Sequence, residues 1–316
     1  MEIRSWFLSA EITLQDLLEV QAYFGLPSPA LVEKDFHVVK ALAAIAAVNT
    51  APLGLVFGGG TALARAHRLI RRMSEDIDLK VTAEKEPSRG ELRRLRELVT
   101  AALLRAGFQF DPDNPEHRSM GNQSRYTVYR LPYEPLARGQ GVLRPEIKIE
   151  VAVWPLSRPA VPLPVASFVS EALRQPAEVA NIGCVSITQT AAEKFVALTR
   201  RTAAELAEAA GPRDPTLARH IYDLHIIRDH FDVAEVAALA RKVVRQDAEV
   251  FGNQFPAYRE NPITETRRAI DALASDPRYE QRYAEFQRDM VYGDRPIYGD
   301  AMRTTLEIAK GFDSEK

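Results

Sequence analysis

The sequence predicts an α+β fold in which a mixed domain of strands and helices precedes a mainly helical domain. Apolar and polar residues alternate in short segments before residue 155, most clearly at 145–154, whereas apolar residues after residue 188 recur at helical spacing. Between these regions lies a bridge containing Pro155, Pro159, Pro162 and Pro164, and proline clusters interrupt regular structure. We therefore predict two domains, 1–158 and 159–316, which suits a chain of 316 residues.

The individual elements follow from local patterns. Helices are predicted where apolar residues recur every three or four positions after a capping residue, and strands where they alternate. The first domain has predicted helices at 13–23, 28–47, 62–72 and 88–106, and strands at 53–57, 77–79, 108–110, 126–131 and 145–154, with a polar loop at 111–124. The second has predicted helices at 188–209, 215–229, 233–251, 263–273, 279–292 and 298–309.

Composition excludes several classes of protein. The formal net charge is −2, so bulk positive charge cannot drive nucleic-acid binding. The one cysteine, Cys184, excludes an intramolecular disulfide and a cysteine-cluster zinc site, and it fits a reducing compartment. The longest apolar region, 41–57, is interrupted by Asn49, Pro52 and Gly54, which makes it unsuited to spanning a membrane. We expect a soluble, cytoplasmic protein.

A glycine turn separates the strand predicted at 53–57 from the next helix. It consists of Gly58, Gly59 and Gly60, with Thr61 directly after it. Backbone N–H groups at a helix start are unpaired and lie at the positive end of the helix dipole, so such a turn can cradle phosphate. Most glycine turns are only turns, and a functional interpretation requires further chemistry-bearing residues downstream.

An Asp-x-Asp pair comes after that helix. Asp76 and Asp78 are two residues apart on a predicted strand, which directs both carboxylates to one face. Paired carboxylate oxygens suit Mg²⁺, and a third carboxylate from a neighbouring strand would allow metal-assisted phosphoryl transfer. Glu150, on the polar face of the strand at 145–154, is the first candidate for that third ligand, with Glu146 as the alternative.

A basic run occupies the predicted helix between the glycine turn and the Asp-x-Asp pair. It contains Arg65, His67, Arg68, Arg71 and Arg72. Such a run is usually a solvated face. Because it adjoins the predicted phosphate site, binding of RNA phosphate is an equal alternative.

These motifs together resemble the nucleotidyltransferase superfamily that includes DNA polymerase β, and more narrowly the AbiEii/AbiGii toxin family with its MenT members. The matching segments, spread over about residues 30–230, are Glu33–Phe36, Gly59–Leu63, Ser74–Leu79, Glu193–Lys194 and Arg219–Leu224. Two departures are Thr61, where serine is common, and Glu150, where many relatives have aspartate. The resemblance implies a polymerase β-like mixed-sheet domain, followed by a helical domain that closes the cleft.

The resemblance also implies residue roles. Asp76, Asp78 and Glu150 would hold Mg²⁺ and the nucleotide, with Glu150 as a possible base. The phosphates would be bound by Gly59, Gly60, Thr61, Ser74, Lys194 and Arg219. Asp223 would orient the acceptor, although Arg219 and Asp223 could equally form a simple intrahelical ion pair. The upstream residues Glu33, Lys34 and Asp35 are expected to fix a helix in place.

The implied function is a Mg²⁺-dependent toxin of a toxin–antitoxin or phage-defence system. In MenT-like relatives the acceptor of the nucleoside monophosphate is the tRNA 3′ end, and an antitoxin is the expected partner. One alternative is a nucleotidyltransferase that modifies a small molecule or a protein. Another is a binding module that keeps the fold without catalysis, which the intact Asp76 and Asp78 pair disfavours.

Overall fold

The computed structural model describes residues 12–137, 143–208, 214, 216–251 and 255–313. The chain divides into two units: the first comprises Met1–Arg68 and Met73–Val185, and the second comprises Leu69–Arg72 and Ser186–Lys316. The division thus comes after Val185, whereas the sequence pattern predicts it after residue 158. The reason is that residues 161–184 supply two more strands to the sheet of the first unit.

The first unit contains five helices and seven strands within its described residues. In chain order these are α1 (Leu14–Phe24), α2 (Pro29–Ala46), β1 (Gly54–Gly58), α3 (Gly59–Arg65), β2 (Asp76–Thr82), α4 (Arg89–Arg105), β3 (Arg118–Gly121), β4 (Tyr126–Pro132), β5 (Glu146–Val153), β6 (Val161–Val165), α5 (Phe168–Ala172) and β7 (Val179–Cys184). Capping boxes at Thr13 and Ser88 start α1 and α4, and Ser28 with Pro29 starts α2; the caps at Ser28 and Ser88 confirm the sequence prediction.

The strands form one mixed sheet in the order β3-β4-β5-β2-β1-β7-β6. The central strand β2 runs antiparallel to β1 and parallel to β5. Its side chains alternate: Ile77, Leu79 and Val81 are buried, and the residues between them are half-buried. This alternation gives the sheet an apolar face toward the core and a polar face that carries the Asp-x-Asp pair.

Three predicted elements are wrong in detail. The helix predicted at 62–72 ends at Arg65, because Arg68 adopts a left-handed backbone conformation that a helix does not accommodate. Residues 108–110 do not form a strand. The two phenylalanines, Phe108 and Phe110, give this segment an alternating pattern because both side chains are buried. The loop predicted at 111–124 contains β3, whose short polar sequence has no strand pattern.

Helix α2 buries three consecutive charged residues, each with partners in a different segment of the first unit. The Glu33 carboxylate accepts hydrogen bonds from the backbone N–H groups of Leu136 and Ala137, at 2.7 and 3.2 Å. Asp35 accepts one from the N–H of Phe168 at 2.7 Å and lies 3.3 Å from Arg65 Nε. These contacts anchor α2 as expected from the sequence.

The second unit is helical. Its described helices are α6 (Ile187–Leu206), α7 (Arg219–Ile226), α8 (Val233–Phe251), α9 (Pro256–Glu260), α10 (Pro262–Ser275), α11 (Pro277–Met290) and α12 (Tyr298–Asp313). Helix α6 packs against α8 and α10, and α12 packs against α7 and α8. The predicted helix ends at Ala209 and Pro215 lie outside the described residues. Within the described part of the chain, no helix has the length and apolar character needed to cross a membrane.

The buried Asp35 should make stability depend on pH. Burial raises the pKa of its carboxyl to about 6, against the opposing effect of the Arg65 charge. Between about pH 4 and pH 6 the folded protein therefore holds a proton that the unfolded chain releases, so the free energy of unfolding falls as pH rises, by up to about 3 kcal/mol. Urea unfolding of the Asp35→Asn variant across this range should lack that component.

The control is Asp113→Asn, because Asp113 is exposed and lies outside these contacts. It should preserve the wild-type pH profile. Parallel profiles for wild type and Asp35→Asn would show that Asp35 does not titrate in this window.

Candidate active site

The polar face of the sheet brings the predicted carboxylates of the first unit together. Asp76 and Asp78 project from the same face of β2. In the parallel pairing with β5, Asp78 is the register partner of Glu150, and Asp76 that of Lys148. Neighbouring strands lie about 4.8 Å apart, so Glu150 stands directly beside Asp78. Glu146, the alternative from the sequence, lies four residues away along β5.

Glu150 is held by one neighbour on its own strand and by another that local sequence does not reveal. It forms an ion pair with Lys148 on the same strand and accepts a hydrogen bond from the Tyr126 hydroxyl of β4. Burial, and then the charges of Glu150 and Asp78, raise the pKa of Tyr126, so its phenol remains a hydrogen-bond donor. Tyr126 was missed because only the sheet places the start of β4 beside the end of β5.

The glycine turn wraps around Asp78. Gly58 is the antiparallel register partner of Asp78, and α3 begins at the next residue, Gly59. Gly59 has a φ of +71°, and a Cβ atom placed on it would overlap the Asp78 carboxylate oxygen Oδ2. Glycine is therefore required here for two reasons, its backbone conformation and the close approach of a carboxylate.

Thr61 and Ser74, both predicted to bind the nucleotide, lie together beside the start of β2. The Thr61 hydroxyl donates to the backbone carbonyl of Asp76 and lies 3.0 Å from the Ser74 hydroxyl. Thr61 is 2% exposed. Its side chain therefore holds the start of β2 in place, which leaves its backbone, together with Gly60, as the part suited to a phosphate.

The donor set of this face suits Mg²⁺ through two of its carboxylates. Among the described residues, no group of three or more His, Cys, Asp or Glu side chains is arranged to hold a metal ion. Mg²⁺ commonly binds through one or two carboxylates and completes its coordination with water and substrate phosphates. Asp76 and Asp78, two carboxylates on one face beside a glycine turn, meet that requirement, whereas Glu150 is engaged by Lys148 and Tyr126.

Two predicted residues of the second unit, Lys194 and Asp223, form a buried ion cluster with Arg72. Asp223 of α7 is 0% exposed. It accepts hydrogen bonds from Arg72 Nε and Nη2, both at 2.6 Å, and from Lys194 Nζ at 2.5 Å. Both carboxylate oxygens are thus engaged within the unit. The orientation of the acceptor by Asp223 stays a prediction, to which these contacts add a direct link to Lys194.

Electrostatics in this cluster reflect its excess positive charge. Burial lowers the pKa of Lys194, and Asp223 opposes that effect. The positive charges of Arg72 and Lys194 hold the pKa of Asp223 below its usual value in spite of burial. The pKa of the neighbouring His220 is lowered well below the usual value by burial, and further by Arg219 and Lys194. The charge of half-buried Arg219 also lowers the pKa of Lys194, so the two side chains lie within electrostatic range of each other.

Arg72 belongs to the basic run predicted from the sequence, yet it lies in this buried cluster. That run is not a continuous charged surface. Arg65 is buried against Asp35 in the first unit, and Arg72 is buried against Asp223 in the second. Arg68 and Arg71 are exposed. Arg72 and Asp223 are 151 residues apart, and no local pattern could have paired them.

Comparisons with known proteins agree with this architecture. The family model described as "Nucleotidyl transferase AbiEii toxin, Type IV TA system" matches residues 40–311. Among solved structures, the chain is similar to MenT4, a nucleotidyltransferase toxin from Mycobacterium tuberculosis H37Rv, with 17% identity and a TM-score of 0.55, over 95% of this chain and 90% of that chain. At this identity the likeness shows the fold. No match was found among curated protein sequences.

Replacing Gly59 by alanine should lower the free energy of unfolding by more than the backbone strain alone would. The Gly59→Ala and Gly25→Ala variants both place alanine at positive φ, which costs about 1–2 kcal/mol, but only at Gly59 would the new Cβ meet a carboxylate. Urea unfolding should therefore show a larger loss for Gly59→Ala. Equal losses would mean that Asp78 moves aside freely.

Removing the Arg72 charge should destabilise the second unit. The Arg72→Met variant leaves the buried Asp223 carboxylate with Lys194 alone, and breaking a buried pair costs about 3 kcal/mol or more. The neighbouring Arg71→Met variant is the control, because Arg71 is exposed and surface substitutions change stability by about 0.5 kcal/mol or less. Equal unfolding midpoints for the two variants would contradict the conclusion that the pair of Arg72 and Asp223 stabilises the second unit.

Proposed function

The chain belongs to the AbiEii nucleotidyl transferase toxin family, and from this premise we propose that it transfers a nucleoside monophosphate from an NTP to the 3′ end of a tRNA, with Mg²⁺ as cofactor. The family assignment makes it a nucleotidyltransferase toxin of a type IV toxin–antitoxin system, which implies an NTP substrate and an antitoxin partner. The metal, the acceptor, a role in phage defence and action in the cytoplasm are parts of the proposal.

The approach of Asp78 to Gly59 is the observation that carries this proposal. It joins a backbone turn suited to phosphate with a carboxylate suited to a divalent cation. Each feature alone is common in proteins. Their direct contact is what the transfer of a metal-bound triphosphate requires, because the metal and the phosphate oxygens must be held side by side.

The described residues fit Mg²⁺ at this position. Asp76 and Asp78 would hold the ion, and Glu150 would join them after release from Lys148 or remain as the base that takes the hydroxyl proton. Mg²⁺, when bound, would neutralise charge on the triphosphate and on the leaving pyrophosphate. The Tyr126 hydroxyl orients Glu150 in either role, since it donates to that carboxylate.

The proposed reaction is a displacement at phosphorus. An acceptor hydroxyl oxygen forms a bond to the α-phosphorus of the NTP, while the bond from that phosphorus to the oxygen bridging to the β-phosphate breaks. Pyrophosphate leaves, and the hydroxyl proton passes to a base. Backbone N–H groups of Gly59, Gly60 and Thr61 would bind the β- and γ-phosphates during this step.

For the second unit we propose the roles that the family resemblance implies for its cations. Lys194 and Arg219 would neutralise phosphate charge, and Ser74 in the first unit would contribute a hydroxyl to the nucleotide. Asp223 would orient the acceptor, and its carboxylate, which accepts a hydrogen bond from the Lys194 ammonium, would also restrict the position of that lysine. Arg72 would in turn hold Asp223.

The acceptor is inferred from the resemblance to MenT toxins, since no described contact selects it. A modified tRNA 3′ end cannot be aminoacylated, which would explain growth arrest by such a toxin. Arg68 and Arg71 are the exposed arginines of the basic run and are the candidates for RNA backbone contacts, although Arg68 forms an ion pair with Glu171 at 3.3 Å. Two arginines are few for RNA binding, so further contacts would have to come from elsewhere on the chain.

Asparagine at either Asp76 or Asp78 should abolish transfer while the protein stays folded. Purified protein would be incubated with total tRNA, Mg²⁺ and each α-labelled NTP in turn. We expect label on tRNA from one or two NTPs with wild type, and a loss of about 10³-fold with each variant, which corresponds to about 4 kcal/mol of transition-state stabilisation.

Asp113→Asn serves as the control, because Asp113 is 94% exposed and lies outside the site. It should transfer label like the wild type. Label on protein or on a small molecule instead of tRNA would replace the proposed acceptor. Wild-type activity in both Asp76→Asn and Asp78→Asn would refute the metal assignment.

A further inference from the structure

A buried lysine contacts the chain at the starts of β2 and β5, the two carboxylate-bearing strands of the first unit. Lys34 of α2 is 1% exposed. Its ammonium donates hydrogen bonds to the backbone carbonyl of Arg144, at 2.8 Å, and to that of Glu146. It also lies 3.1 Å from the carboxylate of Glu75. Nothing in the proposed transfer reaction uses this charge.

The two carbonyls bound by Lys34 belong to the entry of β5 and face the side of β2. Carbonyl groups alternate in direction along a strand. The Pro145 carbonyl accepts from the N–H of Tyr133, on the β4 side. The carbonyls of Arg144 and Glu146 therefore point to the opposite side.

Strand β2 starts too late in the sequence to pair with these carbonyls. Its first residue, Asp76, pairs with Lys148 of β5. Because β2 starts at Asp76, the Lys34 ammonium rather than a β2 N–H group donates to the carbonyls of Arg144 and Glu146. A donor with three N–H groups can serve both carbonyls and Glu75 at once.

The third partner of Lys34 ties it to the entry of β2. Glu75 immediately precedes Asp76, and its carboxylate balances the ammonium charge. One buried cation thus holds the residue before the first carboxylate of β2 and the backbone at the start of the strand that carries Glu150. These are the two segments whose relative position decides which residues of β2 and β5 stand side by side.

We propose that Lys34 is a positioning residue that fixes the register of β2 against β5, and through it the placement of Asp76 and Asp78 beside Glu150. The link to catalysis rests on the proposed function. The structural part, that Lys34 caps the entries of both strands, stands independently of it. Lys34 contacts no reacting group in this inference and acts through the strands.

Hydrogen–deuterium exchange of the whole chain tests the structural part. In Lys34→Met, a neutral side chain of similar length, peptides covering 75–78 and 144–148 should exchange about tenfold faster or more, as expected for loss of a hydrogen bond to a charged donor. The matched control is Lys40→Met, also on α2, whose ammonium lies over the Phe108 ring. It should leave these peptides unchanged. Unchanged exchange in Lys34→Met would overturn the inference.

A double variant separates the carbonyl contacts from the ion pair. Glu75→Gln alone should keep wild-type exchange in 144–148, because Lys34 still donates to both carbonyls. Lys34→Met/Glu75→Gln leaves no unpaired charge and should fold, yet its 144–148 peptide should still exchange fast. Recovery of slow exchange in the double variant would mean that Lys34 serves only to neutralise Glu75, and would overturn the proposed capping role.

The catalytic link is read from the Mg²⁺ dependence of nucleotide transfer. In the double variant the Mg²⁺ concentration for half-maximal rate should rise about fivefold or more, while Lys40→Met stays within about twofold of wild type. A wild-type Mg²⁺ dependence in a double variant with fast strand exchange would refute the link to the carboxylates. Absence of transfer by wild type itself would instead refute the proposed function, and the exchange result would still decide the role of Lys34.

Discussion

A carboxylate lies directly against a peptide backbone in this protein, and the organisation of the first unit depends on that contact. Asp78 can approach the start of α3 only because Gly59 has no side chain and tolerates a left-handed conformation. The antiparallel pairing of Gly58 with Asp78 brings the turn to the carboxylate. The parallel pairing of β2 with β5 then sets Glu150 on its other side. A bulkier residue at the turn would disrupt all three relations.

Buried charged residues on α2 also stabilise the first unit. Helix α2 carries Glu33, Lys34 and Asp35 in succession, and each side chain reaches a different segment of the first unit. Burying three charges is unfavourable unless each is paired or hydrogen-bonded. Here each one serves backbone groups that no strand or helix satisfies. Buried polar groups in this unit therefore fix the positions of irregular segments and of the starts of strands. Apolar packing fixes such positions poorly because it is not directional.

The second unit has a comparable centre in Arg72, Asp223 and Lys194. The segment Leu69–Arg72 belongs to this unit although residues on both sides of it belong to the first. Its backbone is held as well: Arg72 forms a bridge with Val291, and the Arg71 carbonyl accepts from the N–H groups of Tyr292 and Gly293. A side chain at Gly293 would collide with Arg71. The motif lysine and aspartate are thus positioned by a residue that precedes the Asp-x-Asp strand.

The sequence by itself determined the elements whose signals are local. Capping residues and apolar periodicity predicted α1, α2 and α4, strict alternation predicted β5, and the glycine turn with the downstream Asp-x-Asp pair predicted the carboxylate-bearing face. Tertiary structure alone decided that Glu150 rather than Glu146 neighbours Asp78, that Tyr126 donates to it, and that Arg72 and Lys194 share Asp223. Strand register and long-range ion pairs depend on which distant segments become neighbours. A single sequence records local preference at each position, and these partners lie from a few tens to 151 residues apart.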